Sequence, residues 1–155
     1  MLMNARDTQL ALRDHLSALP IRNPMAVTLT CKQRIGSEAL DEIKLQQNIG
    51  HFLNRLNYRL FKKAFSRFGK QLGYISVIEG NQTTRLHVHM MLERPDHVSP
   101  EYMDALIYQC WNKTKFGYTN TRTEPVRDDG WLHYILKYRT KSEGVQSSLD
   151  WNPSV

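Results

Sequence analysis

Cysteine is scarce in this chain, and its absence in pairs is informative. Among 155 residues there are only Cys31 and Cys110. They lie far apart with no CxxC spacing, which excludes a zinc knuckle and a disulfide framework. No apolar run approaches the roughly 20 residues of a membrane helix. The opening stretch MLMNARDTQLALRDHL carries acids and no apolar core segment, so no secretory signal is expected. A G-x-x-x-x-G-K-[ST] phosphate loop is missing. Internal repeats and low-complexity tracts are missing too. Acidic residues are the minority charge, fifteen against twenty-one Lys and Arg, for a net +6 and a pI near 9.4. That balance favours an anionic partner. With 41% hydrophobic and 23% charged residues, the composition suits a soluble, cytoplasmic, packed domain without a membrane role.

What is present divides into recognisable elements. Leu10, Leu12, Leu16 and Leu19 mark a short amphipathic helix ending at Pro20. The run MAVTLTC (25–31) reads as a strand, bounded by turn-formers. From about 40 to 68, apolar residues recur at three and four, predicting one long helix stopped by Gly69. Its other side carries Arg55, Arg59, Lys62 and Arg67, a solvated face or a nucleic-acid stripe. YISVIE (74–79) and LHVHMML (86–92) read as a hairpin across GNQTTR. Ser99-Pro100 starts a further helix, with Ser as cap and Pro in the first turn. TRTEPV is a candidate strand, and WLHYILKYRTK has helical periodicity. Strands interleaved with helices around a central hairpin predict an α+β fold with an antiparallel sheet.

Two clusters carry chemistry. His87 and His89 alternate along a strand, so both imidazoles share one face, while Leu86, Val88, Met90 and Leu92 take the core side. Two imidazoles on a rigid strand suit a divalent metal, and a third ligand is required. Glu79 supplies it if the hairpin registers Glu79 opposite His87; a slip of one residue would turn it away. Two imidazoles, one carboxylate and open positions suit Mg²⁺ or Mn²⁺ better than a closed zinc site. Two half-exposed strand histidines without a metal are the bland alternative. On a helical wheel, Tyr134, Lys137, Tyr138 and Lys141 share a sector opposite Leu132, Ile135 and Leu136. A phenol oxygen can attack a phosphodiester and keep the product as phosphotyrosine, with Lys137 stabilising charge. An exposed Tyr/Lys face serving solubility or simple binding is the alternative.

The order of these pieces resembles the HUH endonuclease superfamily. VTLT (27–30) stands first, then His87-Val88-His89 on a strand, then Tyr134-Ile-Leu-Lys137-Tyr138. The run RLHVHMMLERP followed by YILKYRTK is similar to rolling-circle replication initiators of small plasmids and single-stranded DNA phages. The resemblance covers roughly residues 25–141. It implies a sheet of about five antiparallel strands carrying the His-x-His motif, flanked by helices. It implies His87 and His89 as metal ligands with Glu79 third, and Mg²⁺ or Mn²⁺ as cofactor. It also implies Tyr134 or Tyr138 as nucleophile, with Lys137 beside them. The expected domain is 25–141, preceded by a helical extension (1–24) and followed by a flexible tail (142–155). Single-stranded DNA or an origin hairpin is the expected partner, with a host helicase acting in trans. Lys32, Arg85, Lys113, Arg139 and Lys141 flank the motifs and are the candidate DNA contacts. A transposase or relaxase of the same superfamily, and a non-catalytic single-strand binding module, are the competing functions.

Overall fold

The computed structural model describes residues 5–80, 85–126 and 149–154. A first helix, α1 (Ala5–Ser17), leads into strand β1 (Met25–Cys31), then a two-strand ribbon, β2 (Arg34–Ile35) and β3 (Glu38–Ala39). Next come helices α2 (Glu42–Phe61) and α3 (Lys63–Phe68), the hairpin β4 (Tyr74–Glu79) and β5 (His87–Leu92), helix α4 (Pro100–Asn112), and strands β6 (Gly117–Pro125) and β7 (Leu149–Asn152). Five strands form one antiparallel sheet in the order β6-β1-β5-β4-β7. This is the α+β architecture that the alternation of elements predicts.

Local chemistry places the helices. The Asp41 carboxylate accepts the Lys44 N–H at 2.8 Å and starts α2; Ser99 accepts the Tyr102 N–H at 3.1 Å and starts α4, with Pro100 in its first turn. Both helices lie on one face of the sheet. Their apolar stripes (Leu45, Phe52, Leu56; Met103, Leu106, Ile107, Trp111) close over Val27, Leu29, Val88, Met90 and Leu92, nearly all fully buried. Trp111 packs edge-on to Phe52 and donates its indole N–H to the Thr30 carbonyl at 2.7 Å. Polar groups inside this layer are satisfied: Asn48 donates to Thr114 Oγ1 and accepts from the Phe116 N–H, and Asn57 accepts from the Leu72 N–H.

Helix α1 lies on the other face. Leu16, with Leu12 and Leu19 beside it, packs on Ile75, Val77 and Met91. It covers that face at the Tyr74 end only.

Two expectations are corrected. The single helix over 40–68 is broken at Lys62, whose φ of 51° turns the chain. No residue of α3 is buried, so no core packing holds it on the axis of α2. The tail expected to be flexible from 142 contains β7, which pairs with β4 from Tyr74↔Asn152 to Val77↔Leu149. Side chains hold it: Tyr74 donates to Asp150 Oδ2 (2.7 Å), Asn152 to the Leu72 carbonyl (3.1 Å), and Ser154 to the buried Glu93 carboxylate (2.7 Å).

Candidate metal centre

Strand alternation divides β5 as the sequence predicts. Val88, Met90 and Leu92 enter the helix-covered core, and His87, His89 and Met91 point to the opposite face. The hairpin register sets Glu79 directly opposite His87. On that face Val77 and Thr28 flank His89, and Thr30 flanks His87, as their Cα partners across the ladders. Gly80 follows Glu79 at φ +107°, and a Cβ there would overlap the Arg85 carbonyl oxygen. Glycine is therefore required for the chain to leave β4 where it does.

Both imidazole Nε2 atoms converge on one carboxylate oxygen. Glu79 Oε2 lies 2.8 Å from His87 Nε2 and 2.5 Å from His89 Nε2, and the two rings meet edge-to-face at 4.9 Å. The three ligand atoms fall within 4.8 Å of one another, close enough to hold one metal ion. His89 is the most buried of the three side chains at 11% exposure; Glu79 is at 22% and His87 at 30%. The group is thus rooted in the sheet and open on one side.

The remaining ring nitrogens test the fit of a cation. His87 Nδ1 lies 3.2 Å from the Arg85 carbonyl, which can only accept, so Nδ1 carries the proton in that bond. In the neutral ring this leaves Nε2 as a bare lone pair aimed at an anionic oxygen. That arrangement is repulsive until a proton or a cation enters, and a backbone carbonyl behind a histidine is the usual support of a metal ligand. His89 Nδ1 faces Thr28 Oγ1 at 3.5 Å. Burial holds the His89 imidazole below its ordinary range, with Glu79 pulling the other way. A neutral ring is the ligating form. The residues fit a divalent cation.

Sequence reasoning missed two neighbours. Gln33 lies in the turn after β1, and its amide pairs with both backbone groups of Leu86: it donates to the carbonyl at 2.9 Å and accepts the N–H at 2.9 Å. A third bond runs from Gln33 Nε2 to the Cys31 carbonyl at 3.0 Å. The side chain thereby extends the β1–β5 ladder by one rung, at the residue preceding His87. Arg122 is the second. It is exposed on β6 opposite Thr28, in the cross-strand row that contains His89. Only the pairing of β6 with β1 reveals it.

The expected DNA contacts separate. Arg85 adjoins His87, and Lys32 is exposed at the same end of the sheet, where its N–H donates to the Phe116 carbonyl. Lys113 caps α4 in the helix layer instead. Tyr134, Lys137, Tyr138, Arg139 and Lys141 lie outside the described residues. The flanks of that segment are described: Val126 and Leu149 both pack on the face that carries the histidines.

Fold and site together define an α+β protein with a candidate His/His/Glu metal centre on an open sheet face. The family model for replication-associated protein ORF2, a phage rolling-circle Rep family, matches residues 24–143, and the chain belongs to that family. No curated protein and no solved structure matches the chain significantly.

Proposed function

We propose that the chain is a metal-dependent, site-specific endonuclease and strand-joining enzyme acting on single-stranded DNA to initiate rolling-circle replication. The observation that carries this reading is the convergence of His87 Nε2 and His89 Nε2 on Glu79 Oε2, in a chain of a replication-associated family. Glu79, His87 and His89 hold the ion, Mg²⁺ or Mn²⁺. When bound, the ion supplies Lewis-acid polarisation of the scissile phosphate.

The nucleophile in this reading is a phenol of Tyr134 or Tyr138. Its oxygen attacks phosphorus, the phosphorus–O3′ bond breaks, and the 3′ oxygen leaves as a hydroxyl after taking a proton. The 5′ phosphate stays esterified to tyrosine, which preserves the bond energy for rejoining. Lys137 stabilises the phosphate charge, and Tyr134 is the first choice because Tyr134 and Lys137 form the Tyr-x-x-Lys pattern. The described flanks Val126 and Leu149, packed on the histidine face, support access of that segment to the metal. Arg85, Lys32 and the exposed Arg122 are the cations nearest to it in the fold, with Arg139 and Lys141 as further contacts. The partners are a single-stranded origin segment or hairpin and a helicase acting in trans. The replication-associated family favours initiation over transposition.

The test is incubation with Mn²⁺ and labelled origin-like oligonucleotides. A DNA–protein adduct that survives denaturation is expected, with peptide mapping placing it on Tyr134 or Tyr138. An adduct undiminished in the Tyr134→Phe/Tyr138→Phe double variant would overturn the tyrosine mechanism.

A further inference from the structure

The charge of this chain is concentrated in one segment. Residues 43–78 contain Lys44, Arg55, Arg59, Lys62, Lys63, Arg67 and Lys70 and no Asp or Glu, whereas the rest of the chain holds fourteen basic and fifteen acidic residues. The whole net +6 therefore resides in α2, α3 and their flanks.

Six of these cations form a surface. Arg55, Arg59, Lys62, Lys63, Arg67 and Lys70 are exposed, and among the described residues none of them forms an ion pair with a carboxylate. Arg55, Tyr58, Arg59 and Lys62 are spaced i, i+3, i+4 and i+7, one stripe along α2. That stripe faces outward, because Phe52, Leu53 and Leu56 turn into the core. It continues onto α4: Arg59 donates to Gln109 Oε1 at 3.4 Å, and Arg55, Arg59 and Lys113 all bear on the Cys110 thiol at the α2–α4 seam. The nearest acids beyond α3 are engaged elsewhere, Glu93 with the Gly73 N–H and Ser154, and Asp96 with Asn23.

Aromatic rings are exposed within this field. Tyr58 is 53% and Phe68 is 84% exposed. Lys62 Nζ lies 5.8 Å from the Tyr58 ring centre, and Lys70 Nζ lies 5.0 Å from that of Phe61. Rings standing beside unpaired cations on a solvent face suit a ligand with alternating phosphates and flat bases whose faces are free. A duplex would engage only the cations, since its base faces are already stacked.

We propose that this helix-layer surface binds a second segment of single-stranded DNA, without sequence preference, on the side of the sheet opposite the His/His/Glu cluster. It needs no metal and does not rest on the nicking reading.

Fluorescence anisotropy of the full chain with a labelled non-origin single strand tests this across about 50 to 200 mM salt. Arg55→Gln/Arg59→Gln/Lys62→Gln/Lys63→Gln is expected to bind at least tenfold more weakly, with the salt slope reduced by about 3, since each phosphate contact on a single strand contributes about 0.7. Because Lys62 occupies a turn with positive φ, Arg55→Gln/Arg59→Gln/Lys63→Gln/Arg67→Gln serves as a second variant and should behave alike, with unchanged circular dichroism. Tyr58→Ser/Phe68→Ser should lose about fivefold or more on the single strand with little change in slope, and none on a duplex of equal length. His87→Ala/His89→Ala should leave this binding unchanged. Full affinity and slope in both quadruple variants would overturn the proposal. So would duplex binding as tight as single-strand binding and indifferent to Tyr58 and Phe68, or equal competition by anionic phospholipid vesicles.

Discussion

On one face of the sheet, Val27, Leu29, Val88, Met90 and Leu92 are sealed beneath α2 and α4. On the other face, alternate residues of the same strands include Thr28, Thr30, Glu79, His87 and His89, and α1 covers only the end near Ile75 and Met91. The residues His87 to Leu92 thus serve two solvents. Every second side chain contributes to cohesion, and those between converge three ligand atoms at a partly open surface. The lesson is a division of labour: removing a core side chain should cost the fold, and removing a histidine should cost chemistry while sparing the fold.

The largest effect expected is on the sealed face. Trp111→Ala removes a fully buried ring and its bond to the Thr30 carbonyl, and should destabilise by about 3–5 kcal/mol. Chemical denaturation measures it; a loss below about 1 kcal/mol would break the contrast between the faces. Next in size is the open face: His87→Ala or His89→Ala should abolish Mn²⁺-dependent nicking and shift the melting temperature by only a few degrees. Thermal melting of the metal-free variants beside the nicking assay separates these outcomes. Glu79→Ala should impair the metal dependence less severely.

Gln33 joins the two faces, because its amide fixes the strand at Leu86 from the rim. Gln33→Ala should weaken Mn²⁺ affinity by about tenfold, the scale of a lost supporting bond behind a ligand. Its cost in stability should be about 1–3 kcal/mol. Unchanged Mn²⁺ affinity would show that the ladder holds His87 without it.

How much of this was legible in the sequence follows the range of each signal. The alternation of LHVHMML shows which side chains share a face, and Glu79↔His87 is the register that makes the carboxylate useful. Gln33 was illegible because its partner lies 53 residues away and its type suggests only a turn. The strand LDWN is short and polar, and what holds it is the carboxylate of Glu93 and the phenol of Tyr74, neither of which local pattern can announce. The break at Lys62 escaped detection because the apolar period runs through it. The tyrosine pair lies outside the described residues, so its role rests on spacing and family.

The smallest effect concerns the thiols of the sealed face. Burial pushes Cys31 up to about 12 from 9.0 and raises Cys110 as well. Neither thiol should react with an alkylating reagent at neutral pH until the chain is unfolded. A folded pKa above the unfolded one gives stability that is complete below pH 9 and is lost as pH rises towards 12. A Cys31→Ala variant should therefore lose less stability than the parent between those limits, measured by denaturation at stepped alkaline pH.

The central claim is that the open face holds one divalent ion between Glu79, His87 and His89. Isothermal titration of the metal-free protein with Mn²⁺ tests it most directly, as Mn²⁺ accepts imidazole nitrogen more readily than oxygen-preferring Mg²⁺. One ion per chain is expected, with binding lost in the His87→Ala/His89→Ala variant while its circular dichroism is retained. Equal binding by that folded variant would contradict the assignment.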